Sequence, residues 1–343
     1  MPVYAVAIQI WAVLMLRLWK QQESILSLRW GMATFKETED SRPSYKGEIV
    51  WDVIGSGQRK VLWGSKVAGP PKWAVMLAMF TMVFLLVGGV YAIRVIISGI
   101  DSLNKTYAEL IISVLTAFQI ELLNSIVKKF AIRLVNGENH RTDSQYEAAL
   151  IMKVFLFQFM NSYFPVYYLA FFQPMVDQGN KDLECSKYEC TDKVALLLVV
   201  LLAVHCLISS VPSIISGSCS GGEDSMKKYD IDQAEEEANM AVYDPSLGPL
   251  EDCEQIALQF GYVMLFTTTA PWAPMAALVF NLVEMRLDSK HLLFNCQRPV
   301  PTSAPGFGKW YDVFCIIVFI GIVTNIALIV FVIDHIPVDK AGE

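Results

Sequence analysis

The chain has 343 residues, of which 54% are hydrophobic and only 18% charged, and its mean hydropathy is +0.41. A soluble domain carries roughly a quarter charged residues, so a wholly soluble globule is excluded; a net charge of -7 without a basic stripe interleaved with aromatics excludes nucleic acid as a partner. The charges are bunched, and the apolar stretches between them approach the roughly 20 helical residues that cross a bilayer.

In chain order, the first apolar stretch covers residues 3–19 and is broken only by Arg17. Without a basic leader or a small-residue cleavage site it reads as a membrane helix, not a signal peptide. Residues 20–70 are polar and mixed in charge, read as a cytoplasmic loop, and stop at Gly69-Pro70-Pro71. Further spans are predicted at 73–97, 108–130, 148–172 and 194–216, the second broken by Glu121, the third carrying Lys153 and the fourth His205 and Pro212. Between them, 131–147 is a cytoplasmic loop and 217–250, with its DQAEEEA run, is a solvated one.

Gln255 to Leu282 carries no charge but contains Pro271 and Pro274. One straight helix of that length would reach about 42 Å; the two prolines instead predict a tight hairpin of helices at 251–270 and 274–293. A loop at 294–310 and a last span at 311–333 complete eight helices. The fold class is therefore an all-α polytopic membrane protein. Orienting it with the first exit into the cytoplasm leaves only Arg94, Lys105, Lys181, Lys187, Lys193 and Lys340 outside, with Lys153 within a span. That positive-inside pattern places both termini of this sequence on the extracytoplasmic side. Of the seven cysteines, Cys185 and Cys190 share a short outer polar loop, where an oxidising compartment favours a disulfide.

Charges in membrane segments are costly and are functional by default. Glu251 and Glu254 are three residues apart and Glu284 and Asp288 four apart, so each pair shares a helix face. Glu254 precedes Pro271 by about 25 Å of helix, and Glu284 and Asp288 follow Pro274 by about 15 and 21 Å. The hairpin thus brings both pairs to a similar depth near the cytoplasmic face. Converging carboxylates repel, and a hard cation with six to eight oxygen ligands relieves this. The competing reading is acids favoured by a helix N-terminus and a solvated helix end at Glu284, Arg286, Asp288 and Lys290.

The segments IQIWAVLMLRLWK, KVFLFQFMNSYFPVYYLAFF and QFGYVMLFTTTAPWAPMAALVFNLVEMRLDSKHL, then RPVP and GKWYDVF, resemble the anoctamin family in order and spacing over nearly the full chain. The resemblance implies that family's ten-helix dimer, of which these spans match helices two to nine. By that resemblance the first and tenth helices and a cytoplasmic N-terminal domain lie outside this sequence: a fragment, a shortened gene product or a divergent short member. It also implies Ca²⁺ binding by acids on the sixth, seventh and eighth family helices. The matching positions are Glu251, Glu254, Glu284 and Asp288. On the sixth helix, Ser210 and Ile214 stand where the family has an Asn and a Glu; Ser210 offers an oxygen and Ile214 none. One weaker ion site is expected in preference to two.

The family's conduction groove runs along its helices three to seven. The polar residues within these spans that are candidates to line it are Asn124, Gln158, Asn161, Ser162, Tyr163, His205, Ser209 and Ser210; interhelical hydrogen bonding is the alternative. Gln173 and His205 fall where channel members carry basic residues, which weakens anion selection and tilts the reading toward lipid scrambling. His205 is read either as a packing residue or as a pH-sensitive element. Pro212 is a candidate hinge.

By the resemblance, the function is a Ca²⁺-activated chloride channel, a phospholipid scramblase or both, working as a homodimer among membrane lipids. The alternative is a non-conducting membrane tether or accessory subunit with a degraded Ca²⁺ site. The sequence does not choose between the plasma membrane and an intracellular one. It contains no GxSxG, HExxH or P-loop pattern, so no enzyme is expected. Nor is there the inverted repeat of a secondary transporter.

Overall fold

Helix α1 (Pro2–Arg29) shows how the bundle is built. Its buried positions, Ala5, Gln9, Ala12 and Leu16, recur every three or four residues. Val6, Ile10, Trp11, Val13 and Leu14 point outward. In lipid, burying apolar surface against a neighbouring helix gains little, so close approach by small residues and polar ties hold helices together. The computed structural model describes residues 2–35, 39–54, 57–64, 105–173, 187–219, 248–299 and 306–332, with isolated positions at 77–96, 238–243 and 303–304. Side chains at 47–64, 105–106, 187–190 and 209–219 are outside that description.

After α1, whose end turns at Gly31 with φ +69°, a left-handed conformation that suits glycine, a β-hairpin pairs β1 (Gly47–Ile54) with β2 (Gly57–Gly64), Gly47 opposite Gly64. The helices that follow are α2 (Lys105–Asn136), α3 (Asp143–Tyr167), α4 (Lys187–Cys219), α5 (Gly248–Leu265), α6 (Ala273–Lys290) and α7 (Trp310–Ala327). Helices α3, α6 and α7 each end in a wider π turn, at Tyr168–Phe172, His291–Asn295 and Leu328–Val332. In α3 that turn follows Pro165, which removes a backbone donor from the regular ladder.

Among the described residues, five helices are long and apolar enough to cross a membrane: Pro2–Arg29, Tyr107–Asn136, Asp143–Phe172, Thr191–Ile208 and Trp310–Val332. Helices α5 and α6, of 18 residues each, are not among them. The stretch 73–97 lies largely outside the described residues, and Cys185 entirely so.

The segment 20–70, read as a loop, holds both the last turns of α1 and the β-hairpin. Hydropathy marks where lipid ends, not where a helix ends, and WKQQESILSLR remains a good helix former. Part of this segment docks on the start of α3: Arg42 pairs with Asp143 at 2.7 Å and lies 3.8 Å over the Tyr146 ring, and Ser144 N donates to Glu39 Oε1 at 2.8 Å. Lys153, the charge within the α3 span, reaches back to Glu138 at 2.6 Å.

Helix α5 sits at the centre, with Ala257, Leu258, Gly261, Tyr262, Val263, Met264 and Leu265 all buried. A helix apolar on every side belongs in a core. The Tyr163 ring of α3 meets the Tyr262 ring edge-on at 5.0 Å, and its hydroxyl donates to Leu258 O at 3.0 Å. This approach needs Gly261, because a β-carbon there would collide with the Tyr163 hydroxyl. Gly261→Ala is therefore expected to cost about 1–3 kcal/mol through overpacking, read as a lowered melting temperature in detergent; an unchanged value would show that α3 and α5 yield freely.

The turn Phe266–Trp272 between α5 and α6 is held from outside. Asn325 Nδ2 of α7 donates to Met264 O and Gly321 O, both at 2.7 Å, and its Oδ1 accepts from Thr268 N at 3.2 Å. From α1, Gln9 Nε2 donates to Met264 O at 3.0 Å and the Tyr4 hydroxyl to Pro271 O at 2.8 Å. Pro274 lies in the first turn of α6, where its missing N–H costs nothing. These ties fix the two helices whose far ends carry the acids.

Candidate ion site and polar seam

Gly248 and Pro249 open α5, placing Glu251 in its first turn and Glu254 one turn on. The axis dipole favours acids at that end, but Glu254 is buried, with its side chain only 10% exposed. From α3, Gln158 Nε2 donates to Glu254 Oε1 in a short hydrogen bond. From α2, Lys128 Nζ lies 3.0 Å from Glu251 Oε1 and 3.0 Å from Glu254 Oε2. That Oε2 is in ion-pair contact yet receives no well-directed hydrogen bond among the described residues.

The other predicted acids lie on α6, where both Glu284 and Asp288 are partly buried. Asp252, between the two predicted acids of α5, feels the charges of Asp288, Glu251 and Glu284, and that of Lys128. Among the described residues no three His, Cys, Asp or Glu side chains stand close enough to share one metal ion. The donor chemistry suits a hard cation, since the carboxylate oxygens are of the type Ca²⁺ prefers. The arrangement differs from a closed cage because Lys128 is paired with two of the acids.

Of the predicted groove residues, Asn124, Gln158, Asn161, Ser162 and Tyr163 are buried on α2 and α3. Asn161 Nδ2 donates to Asn124 Oδ1 at 2.9 Å and to Ile120 O at 3.0 Å. Gln158 joins this line to Glu254. Asn124 Nδ2, Asn161 Oδ1 and Ser162 Oγ are buried without a partner among the described residues, which is unusual in a packed helix interface. Gln173 is buried at the opposite end of α3, beyond the π turn.

His205 of α4 pairs with Glu121 of α2 at 3.0 Å and feels the charge of Glu284. With the Lys193–Glu109 pair at 2.8 Å, it ties α4 to α2. Helix α4 runs through Ser209, Ser210, Pro212 and Ile214 to Cys219; the side chains of those four residues are outside the description.

Sequence reasoning missed Lys128, Glu121 and Asp252 as members of this cluster. Lys128 and Lys129 are adjacent, but adjacent helical residues point about 100° apart, and Lys129 is exposed while Lys128 turns inward. Glu121 stands in the apolar middle of its span, and the cost of a charge there demands a partner.

Long apolar helices around a buried seam of amides and paired charges define an integral, multi-pass membrane protein. The chain belongs to the anoctamin family: that family's model, described as a calcium-activated chloride channel, matches residues 1–336. Anoctamin-7 of Homo sapiens is 27% identical over 376 residues, covering 97% of this chain and 39% of the relative. Anoctamin-3 of Homo sapiens is 27% identical, with 97% and 37% covered. Anoctamin-1 of Homo sapiens is 23% identical, with 97% and 41% covered. The chain thus spans about two fifths of the length of these relatives.

Proposed function

We propose that this chain forms the membrane part of a Ca²⁺-activated conductor of chloride, phospholipid or both, controlled by the acids of α5 and α6. The observation that carries the reading is the pairing of Glu251 and the buried Glu254 with one ammonium, Lys128 Nζ lying 3.0 Å from each at the start of α5. Family membership supports it. Glu251, Glu254, Glu284 and Asp288 would hold the ion, with Asp252 beside them and Ser210 offering a further oxygen. When bound, Ca²⁺ would supply the positive charge that lets these acids approach.

The remaining steps belong to the chain's own residues. The Asn325 ties hold the turn of the hairpin fixed, so movement at its acidic ends would pivot there. His205 couples α4 to Glu121 and to the field of Glu284, so a change at α6 reaches α4, where Pro212 provides the hinge. The seam of Asn124, Gln158, Asn161, Ser162 and Tyr163 then offers polar partners to a chloride ion or a lipid headgroup. Gln173 and His205 supply less fixed positive charge than two basic residues would, which favours lipid passage or weak anion selection. The assembly is read as a homodimer.

One observation favours a second reading. Because Lys128 already pairs with both Glu251 and Glu254, the two acids hold a cation of the chain's own, as suits a non-conducting tether or accessory subunit. Chloride flux and scrambling of labelled lipid, measured on the same proteoliposomes across a Ca²⁺ series, separate the two. Ca²⁺-dependent movement of either cargo is expected; silence for both at every Ca²⁺ level supports the tether.

A further inference from the structure

Lys128 has a place in this site that nothing about Ca²⁺ coordination requires. It sits on α2, a helix from which none of the proposed ion ligands comes, and crosses to α5. Its side chain is 16% exposed, and it contacts Glu251 and Glu254 at 3.0 Å each. Its charge also acts on Asp252. Two carboxylates one turn apart repel, and this ammonium is the cation that quiets them. Exposed pairs in the same protein, such as Lys309–Asp312 with side chains 48% and 52% exposed, are worth little by comparison.

We infer that Lys128 is a tethered competitor for the divalent cation: its ammonium stands between Glu251 and Glu254 and must swing out before both turn to one metal ion. The inference rests on the Ca²⁺ reading above. A cation carried on the chain competes at an effective concentration that dilution does not lower. It brings one charge and three donors, however, whereas a divalent ion recruits six or more oxygens, Glu284 and Asp288 among them. Lys128 therefore sets the Ca²⁺ threshold and keeps α2 clamped to α5 below it. Apparent affinity falls by the fraction of molecules whose site is competent. If the lysine is withdrawn in about a tenth of them, its loss tightens binding about tenfold.

The test compares the full wild-type chain with Lys128→Met and Lys128→Arg, titrating Ca²⁺ alone. Two readouts are taken: the Ca²⁺-dependent rise in melting temperature, and flux in proteoliposomes. Lys128→Met is expected to lower the half-saturating Ca²⁺ about tenfold in both readouts and to enlarge the Ca²⁺-induced stabilisation, while Lys128→Arg, which keeps the charge, stays near wild type. Should Lys128→Met not fold without the ion, Lys128→Gln, which retains a donor for Glu254, carries the same comparison. Wild-type protein that responds to Ca²⁺ alongside a Lys128→Met chain that binds no tighter overturns this inference and leaves the Ca²⁺ reading standing. Silence of all variants in both readouts overturns both. A silent wild type with a Ca²⁺-responsive Lys128→Met supports the inference, the lysine then being the ion's replacement.

Discussion

Replacing Asp288 by asparagine is expected to raise the Ca²⁺ needed for half-maximal flux by well over tenfold. Even the loss of a group that only supports a metal ligand costs about 10- to 100-fold in affinity, and removing a charged ligand sets a higher floor. The substitution keeps the side chain's size and one oxygen, and Asp288 is only partly buried near the end of α6, so the fold should tolerate it. It also removes the charge that Asp252 feels across the hairpin, which separates it from a merely local change. Asp312→Asn is the matched control. That aspartate is half exposed and paired with Lys309 at 2.9 Å, and its loss is expected to leave the Ca²⁺ dependence unchanged. Equal curves for wild type and Asp288→Asn in proteoliposome flux would remove α6 from the site.

The largest stability loss is expected at Asn325. This buried side chain makes three hydrogen bonds, two from its Nδ2 and one to its Oδ1. With alanine, Met264 O keeps its bond from Gln9 and a long one from the Thr267 hydroxyl, Thr268 N–H is left buried without its acceptor, and a small cavity opens. Each buried group left unsatisfied costs about 1–3 kcal/mol, although single polar contacts between membrane helices average roughly 0.6 kcal/mol. Asn325→Ala is accordingly expected to cost about 2–4 kcal/mol, read as a lowered melting temperature in detergent. Thr324→Val, which loses the contact with the Tyr167 hydroxyl and a bond to Ile320 O within its own helix, should cost less. Because the Asn325 ties set the angle at which α5 and α6 leave their turn, Asn325→Ala should also weaken Ca²⁺ sensitivity from the far end of the hairpin. A stability loss with unaltered Ca²⁺ dependence would show that the acids align without that turn.

Much of this was legible in the sequence, for identifiable reasons. Membrane segments announce themselves because lipid tolerates few charges, and five of the long apolar stretches coincide with helices able to span a bilayer. Glu251, Glu254, Glu284 and Asp288 stand out for the same reason: carboxylates beside uncharged helix are costly. The polar residues Asn124, Gln158, Asn161 and Ser162 were visible as exceptions in apolar spans. Their assembly into one seam was not, because hydropathy averages around a helix and says nothing of the direction in which each side chain points.

Lys128 was hidden by that averaging, since two adjacent lysines at the end of a span read as an exit into water while one of them turns inward. The β-hairpin was hidden because GEIVWDVI and GQRKVLWG are short and lie within a charged stretch. The docking of Arg42 on Asp143 and Tyr146 joins residues about a hundred positions apart, and neither composition nor periodicity reaches that far. Pairings between helices, more than the helices themselves, were what the sequence withheld.

The central claim is that the acids of α5 and α6 form one Ca²⁺ site. The most direct measurement is a Ca²⁺ titration of melting temperature on the purified full chain, against a variant carrying Glu251→Gln, Glu254→Gln, Glu284→Gln and Asp288→Asn together. A saturable rise of several degrees is expected in the wild type, as ligand binding to the folded state requires, and none in the variant. An equal rise in both, or none in either, would contradict it.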